Sequence, residues 1–330
     1  MSHKSVPSVT ISIIVPLYNE EGSLKVLHQQ IREELTAKEL EPFEILFIND
    51  GSIDRSLSVL KELQQADPSI RIINFYRNYG KAAALATGFQ LCQGEYIVTM
   101  DADLQDDPKE ISRFITMAEE KQLDLISGWK QKRYDSLEKR VPSKLFNYVV
   151  SIFGGIRLHD FNCGLKFYRK RVVKCLNHLI YGEMHRFIPL LAYWNGFAVG
   201  EMVVQHRPRT FGKSKYGLFR YFHGLIDLLS LTLLNRFRTR PMHIFGALGM
   251  LTLFPGIIIN IIFLFEWIIT QELHVRPIMI IGISLVTVAI QFFSLGFISD
   301  MILQRSAREI TYNFNELLST RSNAPSKSSA

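Results

Sequence analysis

The sequence predicts an α/β fold, a Rossmann-like and mostly parallel sheet, with a membrane anchor after it. Three observations carry that expectation. Apolar, β-rich runs alternate with helical patterns through the first third of the chain, the pattern of strands joined by crossover helices. Acidic and glycine-bearing turns follow those runs, and parallel sheets bind ligands at the carboxyl ends of their strands. Two uncharged stretches, residues 244–265 and 277–299, are each long enough to cross a bilayer, which needs roughly 20 apolar residues per helix.

The elements follow in order. Residues 11–16 read as a strand, because the apolar run alternates through Ser12 and ends in Asn19-Glu20-Glu21 instead of continuing as a secretory leader. A helix follows over 20–38. Residues 43–48 form a second buried strand and 56–65 a helix; 71–75 form a third strand and 81–92 an alanine-rich helix. Residues 95–100 give a fourth strand and 109–121 a further helix. Over 216–234 the pattern changes. Phe219, Phe222, Ile226, Leu229 and Leu233 recur at helical spacing, opposite Arg220, His223, Asp227 and Ser230, as in a helix lying in a membrane interface. The expected layout is a catalytic domain over 1–215, an interfacial region over 216–241, a transmembrane hairpin over 242–304 and a partly disordered tail over 305–330.

Charge distribution orients this layout. Arg236, Arg238 and Arg240 precede the first apolar stretch, and Arg305 and Arg308 follow the second. The loop between has Arg276 opposed by Glu272, so the positive-inside rule puts both termini and the catalytic domain in the cytoplasm. The net charge of +7 is modest and gathers near the anchor and around residues 130–144. Attraction to anionic lipid or to a phosphate substrate accounts for it without a nucleic-acid partner. Cys92, Cys163 and Cys175 lack metal-ligand spacing and suit a reducing compartment. Gly246, Gly249 and Gly256 permit close helix packing, as in a homo-oligomer.

The chemistry sits at strand ends. The first strand closes in Pro16-Leu17-Tyr18-Asn19-Glu20-Glu21, the second in Asn49-Asp50-Gly51-Ser52-Ile53-Asp54 and the fourth in Asp101-Ala102-Asp103-Leu104-Gln105. Each alone is an ordinary turn. Together and in this order they resemble the family 2 glycosyltransferases of the GT-A fold, over roughly residues 10–215. The resemblance implies a nucleotide-diphosphate sugar bound by Pro16, Tyr18, Glu20, Asp50, Lys81, Asp101, Ala102 and Asp103, with Asp50 at the base or ribose. Departure of a diphosphate requires its charge to be neutralised. Asp101, Asp103 and Gln105 offer hard oxygen ligands that suit Mg²⁺ or Mn²⁺ better than zinc.

Further marks narrow the resemblance. Asp103-Leu104-Gln105, Asp160-Phe161-Asn162-Cys163-Gly164 and Arg209-Thr210-Phe211-Gly212-Lys213-Ser214-Lys215 are similar to segments of the polyprenyl-phosphate sugar synthases, the dolichyl-phosphate mannose synthases and bactoprenol glucosyltransferases among them. The Q-x-x-R-W motif of processive polysaccharide synthases does not occur. The resemblance implies a polyprenyl phosphate acceptor, undecaprenyl or dolichyl, with Arg133, Arg140, Ser143 and Lys144 on its phosphate and Arg209 and Lys215 closing from the other side. A phosphate monoester, with a second pKa of about 6, is largely ionised already and needs no base to attack. Asp160 and Asp103 are the candidate catalytic residues, Asp160 orienting the acceptor or balancing charge on the sugar. Glu183, His185 and Arg186 form a second tier, for which a plain helix N-terminus is an equal reading. The expected reaction is inverting transfer of one sugar, glucose from UDP-glucose, onto the lipid at the inner membrane of a bacterium. Mannosyl or N-acetylhexosaminyl transfer to the same lipid is the alternative enzyme. A catalytically silent partner of a flippase or polymer assembly is the alternative class.

Overall fold

The computed structural model describes residues 10–131, 147–152, 154–207, 231–232, 241–271 and 276–306. The chain divides into two units, Met1–Leu228 and Leu229–Ala330. The first is built on a seven-stranded sheet of order β3-β2-β1-β4-β6-β5-β7. Its strands are β1 (Ile11–Leu17), β2 (Phe43–Asn49), β3 (Ile70–Asn74), β4 (Tyr96–Thr99), β5 (Leu125–Trp129), β6 (Lys166–Arg169) and β7 (Val199–Val203). β1 pairs in parallel with β2 and β4, and β2 with β3. β6 runs antiparallel to both β4 and β5, and β7 is again parallel to β5. The sheet is therefore mostly parallel with one reversed strand, as expected of the GT-A class.

The connecting helices are α1 (Leu24–Ala37), α2 (Ser56–Ala66), α3 (Lys81–Leu91), α4 (Glu110–Glu120), α5 (Lys170–Leu176) and α6 (Ile188–Trp194). β1 and β2 are buried over nearly their whole length, the mark of strands covered on both faces. Ile13, Val15, Ile45, Phe47 and Val98 pack with Leu27 and Ile31 of α1 and with Ile111 and Phe114 of α4 into one core. That core fixes the four parallel strands so that their carboxyl ends lie along one edge.

The second unit contains α7 (Pro241–Thr270) and α8 (Pro277–Ser306). Both are long and apolar enough to cross a membrane, each with a mean hydropathy of 2.3. They pack through small residues. A Cβ on Gly249 would meet the Phe293 ring at 2.9 Å, and one on Gly256 would meet the Gly282 carbonyl oxygen at 3.0 Å. Gly249 and Gly256 thus serve the hairpin itself, whereas nothing lies within 4 Å of a Cβ on Gly246. At the loop end Arg276 pairs with Glu266 at 2.7 Å, so its partner is a residue of α7; Glu272 lies outside the described residues.

Candidate functional site

Two interlocked turns form one wall of the site. Asn19, at φ +56°, takes the left-handed conformation that short polar residues tolerate. Its N–H donates to Ser52 Oγ at 2.9 Å, and its carboxamide oxygen accepts the N–H of Ile53 at 2.9 Å. The Glu20 N–H donates to Ser56 Oγ at 3.0 Å. Pro16 lies in β1, paired with Ile48, and Tyr18 and Glu20 follow directly at the strand's exit. The strand-end turns expected to hold a nucleotide are thus tied to each other.

Asp50 is buried at the end of β2 and accepts two main-chain N–H groups, from Tyr79 at 2.7 Å and Gly80 at 2.9 Å. Burial pushes its carboxyl above the ordinary aspartate range, and the two N–H donors pull against that rise. Asp50 therefore shapes the turn that starts α3, a role that residue type alone does not reveal. Aromatic and cationic groups line that turn: the Phe75 and Tyr79 rings meet edge-on at 5.6 Å, and the Arg77 guanidinium lies 4.9 Å from the centre of the Tyr79 ring.

The loop after β4 is the electrostatic centre. Asp101 forms an ion pair with Lys81 at the start of α3. Burial would raise the Asp101 carboxyl, but the charges of Lys81 and Lys130, with Lys166 beyond them, hold it well below the usual range. The Asp101 N–H donates to Asp106 Oδ2 at 3.3 Å, and Asp106 Oδ1 meets Lys130 Nζ at 2.7 Å. Ala102, Asp103 and Leu104 are buried, with Leu104 at φ +62°. The Gln105 main-chain N–H donates to Asp103 Oδ1 at 3.2 Å, and the Gln105 carboxamide nitrogen lies 3.5 Å from the Arg207 carbonyl oxygen. Residues after β7 secure the loop: the Arg207 N–H donates to the Gln105 carbonyl at 2.9 Å, and the Arg207 guanidinium pairs with Asp107.

The loop after Asp160 closes against this centre. A Cβ on Gly164 would fall 2.4 Å from Asp101 Oδ2, so only glycine lets the loop approach the carboxylate. The Gly164 carbonyl accepts from Thr99 Oγ1 at 2.9 Å. Asp160 itself is fully buried; its Oδ1 accepts the Asn162 N–H at 3.0 Å, so in this conformation its carboxylate organises its own turn. Glu201 of β7 accepts the N–H groups of His159 and Asp160, at 2.8 and 2.9 Å. Glu183 pairs with Arg186, whose side chain is buried, and both flank a short turn with His185 before α6; this is an ion pair within the turn rather than acid capping of a helix.

Of the expected site residues, the structure brings Lys81, Asp101, Asp103 and Gln105 together, with the loop of Asp160 against them. Arg133, Arg140, Ser143, Lys144, Arg209 and Lys215 lie outside the described residues. Residue patterns did not single out Lys166, Asp106 or Glu201. Lys166 is buried in β6, donates to the Cys163 carbonyl and is pulled below the usual lysine range by that burial. Asp106 stands directly after the Asp101–Gln105 motif and was legible there; Glu201 lies in a Val-Gly-Glu-Met-Val strand that carries no such signal.

Because Lys81 holds Asp101 low, the pair has a pH signature. A folded-state pKa below the unfolded value of about 3.9 contributes stability that is full above that pH and fades as pH falls towards the folded value. Lys81→Met should therefore lower the unfolding temperature of the protein in detergent at pH 7, and the deficit should shrink as the buffer approaches pH 3. A deficit equal at both values would assign the loss to packing instead of to the ion pair.

This fold and this cation-rich strand-end site define an α/β transferase of the GT-A type. The family model described as "Glycosyl transferase family 2" matches residues 12–177. A dodecaprenyl-phosphate galacturonate synthase of Rhizobium johnstonii is 35% identical over 314 residues, spanning 92% of this chain and 90% of its own. An undecaprenyl-phosphate 4-deoxy-4-formamido-L-arabinose transferase of Pseudomonas fluorescens is 35% identical over 80% of this chain and 78% of its own. Among solved structures, glucosyl-3-phosphoglycerate synthase from Mycobacterium tuberculosis, in complex with Mn²⁺, UDP and phosphoglyceric acid, matches with a TM-score of 0.50 and 17% identity, over 69% of this chain and 78% of that one, a likeness of fold. The chain belongs to glycosyltransferase family 2.

Proposed function

We propose that this protein is a polyprenyl-phosphate glycosyltransferase, moving one sugar from a nucleotide-diphosphate donor to the lipid phosphate at the cytoplasmic face of a bacterial inner membrane. The observation that carries the reading is the strand-end cluster in which Lys81 pairs with Asp101, and Lys130 pairs with Asp106, whose other oxygen accepts the Asp101 N–H. A diphosphate leaving group needs such a cationic floor. The two apolar helices fit an enzyme whose acceptor is held in lipid, and the relatives' names carry polyprenyl phosphates.

The donor set fits a hard divalent cation. No group of three or more His, Cys, Asp or Glu side chains placed to hold a metal occurs among the described residues. Mg²⁺ and Mn²⁺ do not need one, because they are commonly held by one or two protein oxygens and completed by phosphate and water. Asp103 and Gln105, adjacent through the Gln105 N–H, would hold the ion beside the diphosphate. When bound it would supply charge neutralisation for the departing nucleotide. The protein's own part is to set the geometry. The Asp50 turn and the Asn19–Ser52 lock shape the nucleotide wall, Lys81 and Lys130 keep Asp101 ionised, and Gly164 lets the sugar-side loop close on it. The lipid phosphate, already ionised, attacks the anomeric carbon in line and inverts it, and Arg133, Arg140, Ser143, Arg209 and Lys215 are proposed to hold that phosphate and the diphosphate.

The expected sugar, glucose, is not the one in the relatives' names, which carry galacturonate and 4-deoxy-4-formamido-L-arabinose. The test is a panel of radiolabelled UDP-glucose, UDP-galactose, UDP-glucuronate, UDP-galacturonate, GDP-mannose and a nucleotide donor of 4-deoxy-4-formamido-L-arabinose, offered with short-chain polyprenyl phosphate, with Mn²⁺ or with EDTA. Labelled lipid from one donor, abolished by EDTA, is the expected result. Donor hydrolysis with unlabelled lipid would refute the acceptor, and neither donor turnover nor donor binding would refute the enzyme.

A further inference from the structure

Beside the buried Asp160 stands a histidine whose surroundings are those of a working group. The His159 side chain is 65% exposed, and its ring has two partners. Nδ1 lies 2.7 Å from Glu201 Oε2, and the other oxygen of the same carboxylate accepts the His159 and Asp160 N–H groups. The Glu201 side chain is itself nearly buried, with 12% exposure. The ring lies stacked on Trp129, centroids 3.9 Å apart and planes within 12°. Asn147 Nδ2 donates to the His159 carbonyl at 2.7 Å, pinning the main chain from another element. An ordinary surface histidine samples several rotamers; this one is held by a carboxylate, a ring and a backbone clamp.

The chemistry of the clamp fixes the ring's orientation. A carboxylate only accepts hydrogen bonds, so Nδ1 carries the proton and Nε2 is left on the open side of the ring. The position is also set. Ser127 Oγ donates to the Asp160 carbonyl at 3.1 Å, tying this point of the loop to β5. Gly164, five residues on, touches the Asp101 carboxylate. Five residues span at most about 17 Å, and the ring stacks on Trp129, the last residue of β5, so it stands at the carboxyl edge of the sheet, the edge from which the Asp101 loop leaves β4.

We propose that His159, held by Glu201 and Trp129, is the sugar-specificity residue of this site, its Nε2 hydrogen-bonding a hydroxyl of the sugar being transferred. The inference rests on the transferase reading above. The partner chemistry follows from charge. The Glu201 carboxylate behind the ring disfavours a phosphate there, whereas a hydroxyl can hydrogen-bond Nε2 without introducing charge. Asp160 then acts by shaping the turn that carries His159, and His159 is the side chain of this loop that meets the sugar.

The test uses full-length protein in detergent with short-chain polyprenyl phosphate and the same donor panel. His159→Phe keeps a ring on Trp129 and removes both nitrogens; His159→Gln keeps a polar atom near the Nε2 position. His159→Phe should lower kcat/KM for the preferred donor about tenfold, the scale of one lost hydrogen bond. It should also reduce the preference for that donor over its hydroxyl epimer, with the affinity for free UDP or GDP and the KM for the lipid unchanged. His159→Gln should restore part of the preference, and Glu201→Gln should weaken it with His159 in place. A merely structural role would lower turnover of all donors in step with the unfolding temperature and leave the preference intact, which would overturn the proposal. A raised lipid KM would reassign His159 to the acceptor and also overturn it. Wild-type protein transferring no sugar would remove the transferase reading, and this one with it; a wild type that transfers while the variants keep its preference removes this one alone.

Discussion

Replacing Asp103 with asparagine should reduce sugar transfer about a thousandfold while leaving the protein folded. The side chain is buried beside the expected diphosphate position, and its Oδ1 accepts the Gln105 N–H at 3.2 Å. An asparagine carbonyl oxygen accepts the same bond, so the turn survives and the unfolding temperature should move by no more than a few degrees. What is lost is the negative charge that would hold a divalent cation against the leaving group. Removing one group aimed at developing charge typically costs about 10²–10³ in kcat, and loss of a metal costs more. A thousandfold corresponds to about 4 kcal/mol of transition-state stabilisation. Raising Mn²⁺ should recover part of the activity, since a weakened site still fills by mass action. Asp103→Asn with more than a tenth of wild-type activity, and an unaltered Mn²⁺ requirement, would show that the ion is held elsewhere.

Asp103 was legible because strand ends are where a parallel sheet presents side chains, and the first four strands announce themselves. β1, β2 and β4 are short apolar runs, and helical periodicity separates each from the next. The later strands are quieter. β6 is Lys-Phe-Tyr-Arg, four residues with a charge at each end, and it reverses direction between β4 and β5. β7 holds a glycine and a glutamate among its five residues. Such strands are specified by the neighbours they pair with, and pairing partners far apart in sequence leave no periodicity to read. Glu201 and Lys166 lie on these strands, so the support of the sugar-side loop was hidden for the same reason that the strands were.

Residue type also leaves unseen what a carboxylate does for the fold. Asp50 reads as a nucleotide ligand, and each of its oxygens accepts an N–H group of the turn that opens α3. Asp160 reads as the residue that orients the acceptor or balances charge on the sugar, and it is fully buried; the exposed histidine beside it escapes notice because a lone His-Asp pair has no distinctive spacing. Strand-end position identifies which loops matter; hydrogen bonding decides which atom of the loop faces outwards.

The turn that Asp50 holds supplies the second large expected effect. Gly51 has φ +69°, and a Cβ there would lie 2.4 Å from the Arg77 carbonyl carbon and 2.7 Å from the Asn78 nitrogen. Those are backbone atoms, so no rotamer change relieves the overlap, and residues 77–80 must move. That segment carries the Tyr79 and Gly80 N–H groups that satisfy Asp50; displaced, they leave a buried carboxylate short of partners, at a cost of about 1–3 kcal/mol beyond the backbone strain. Gly196 provides the matched control. Its φ is +83°, and nothing lies within 4 Å of an added Cβ, so Gly196→Ala should pay only the conformational penalty of about 1–2 kcal/mol. Gly51→Ala should therefore be clearly the less stable of the two. It alone should weaken binding of free nucleoside diphosphate, by tenfold or more in a fluorescence or calorimetric titration, because its wall is the one the nucleotide would lean on. Equal stability losses with equal nucleotide affinities would mean that the 77–80 turn is neither strained by Gly51 nor part of the site. A loss of stability without loss of affinity would keep the packing argument and remove the turn from the nucleotide wall.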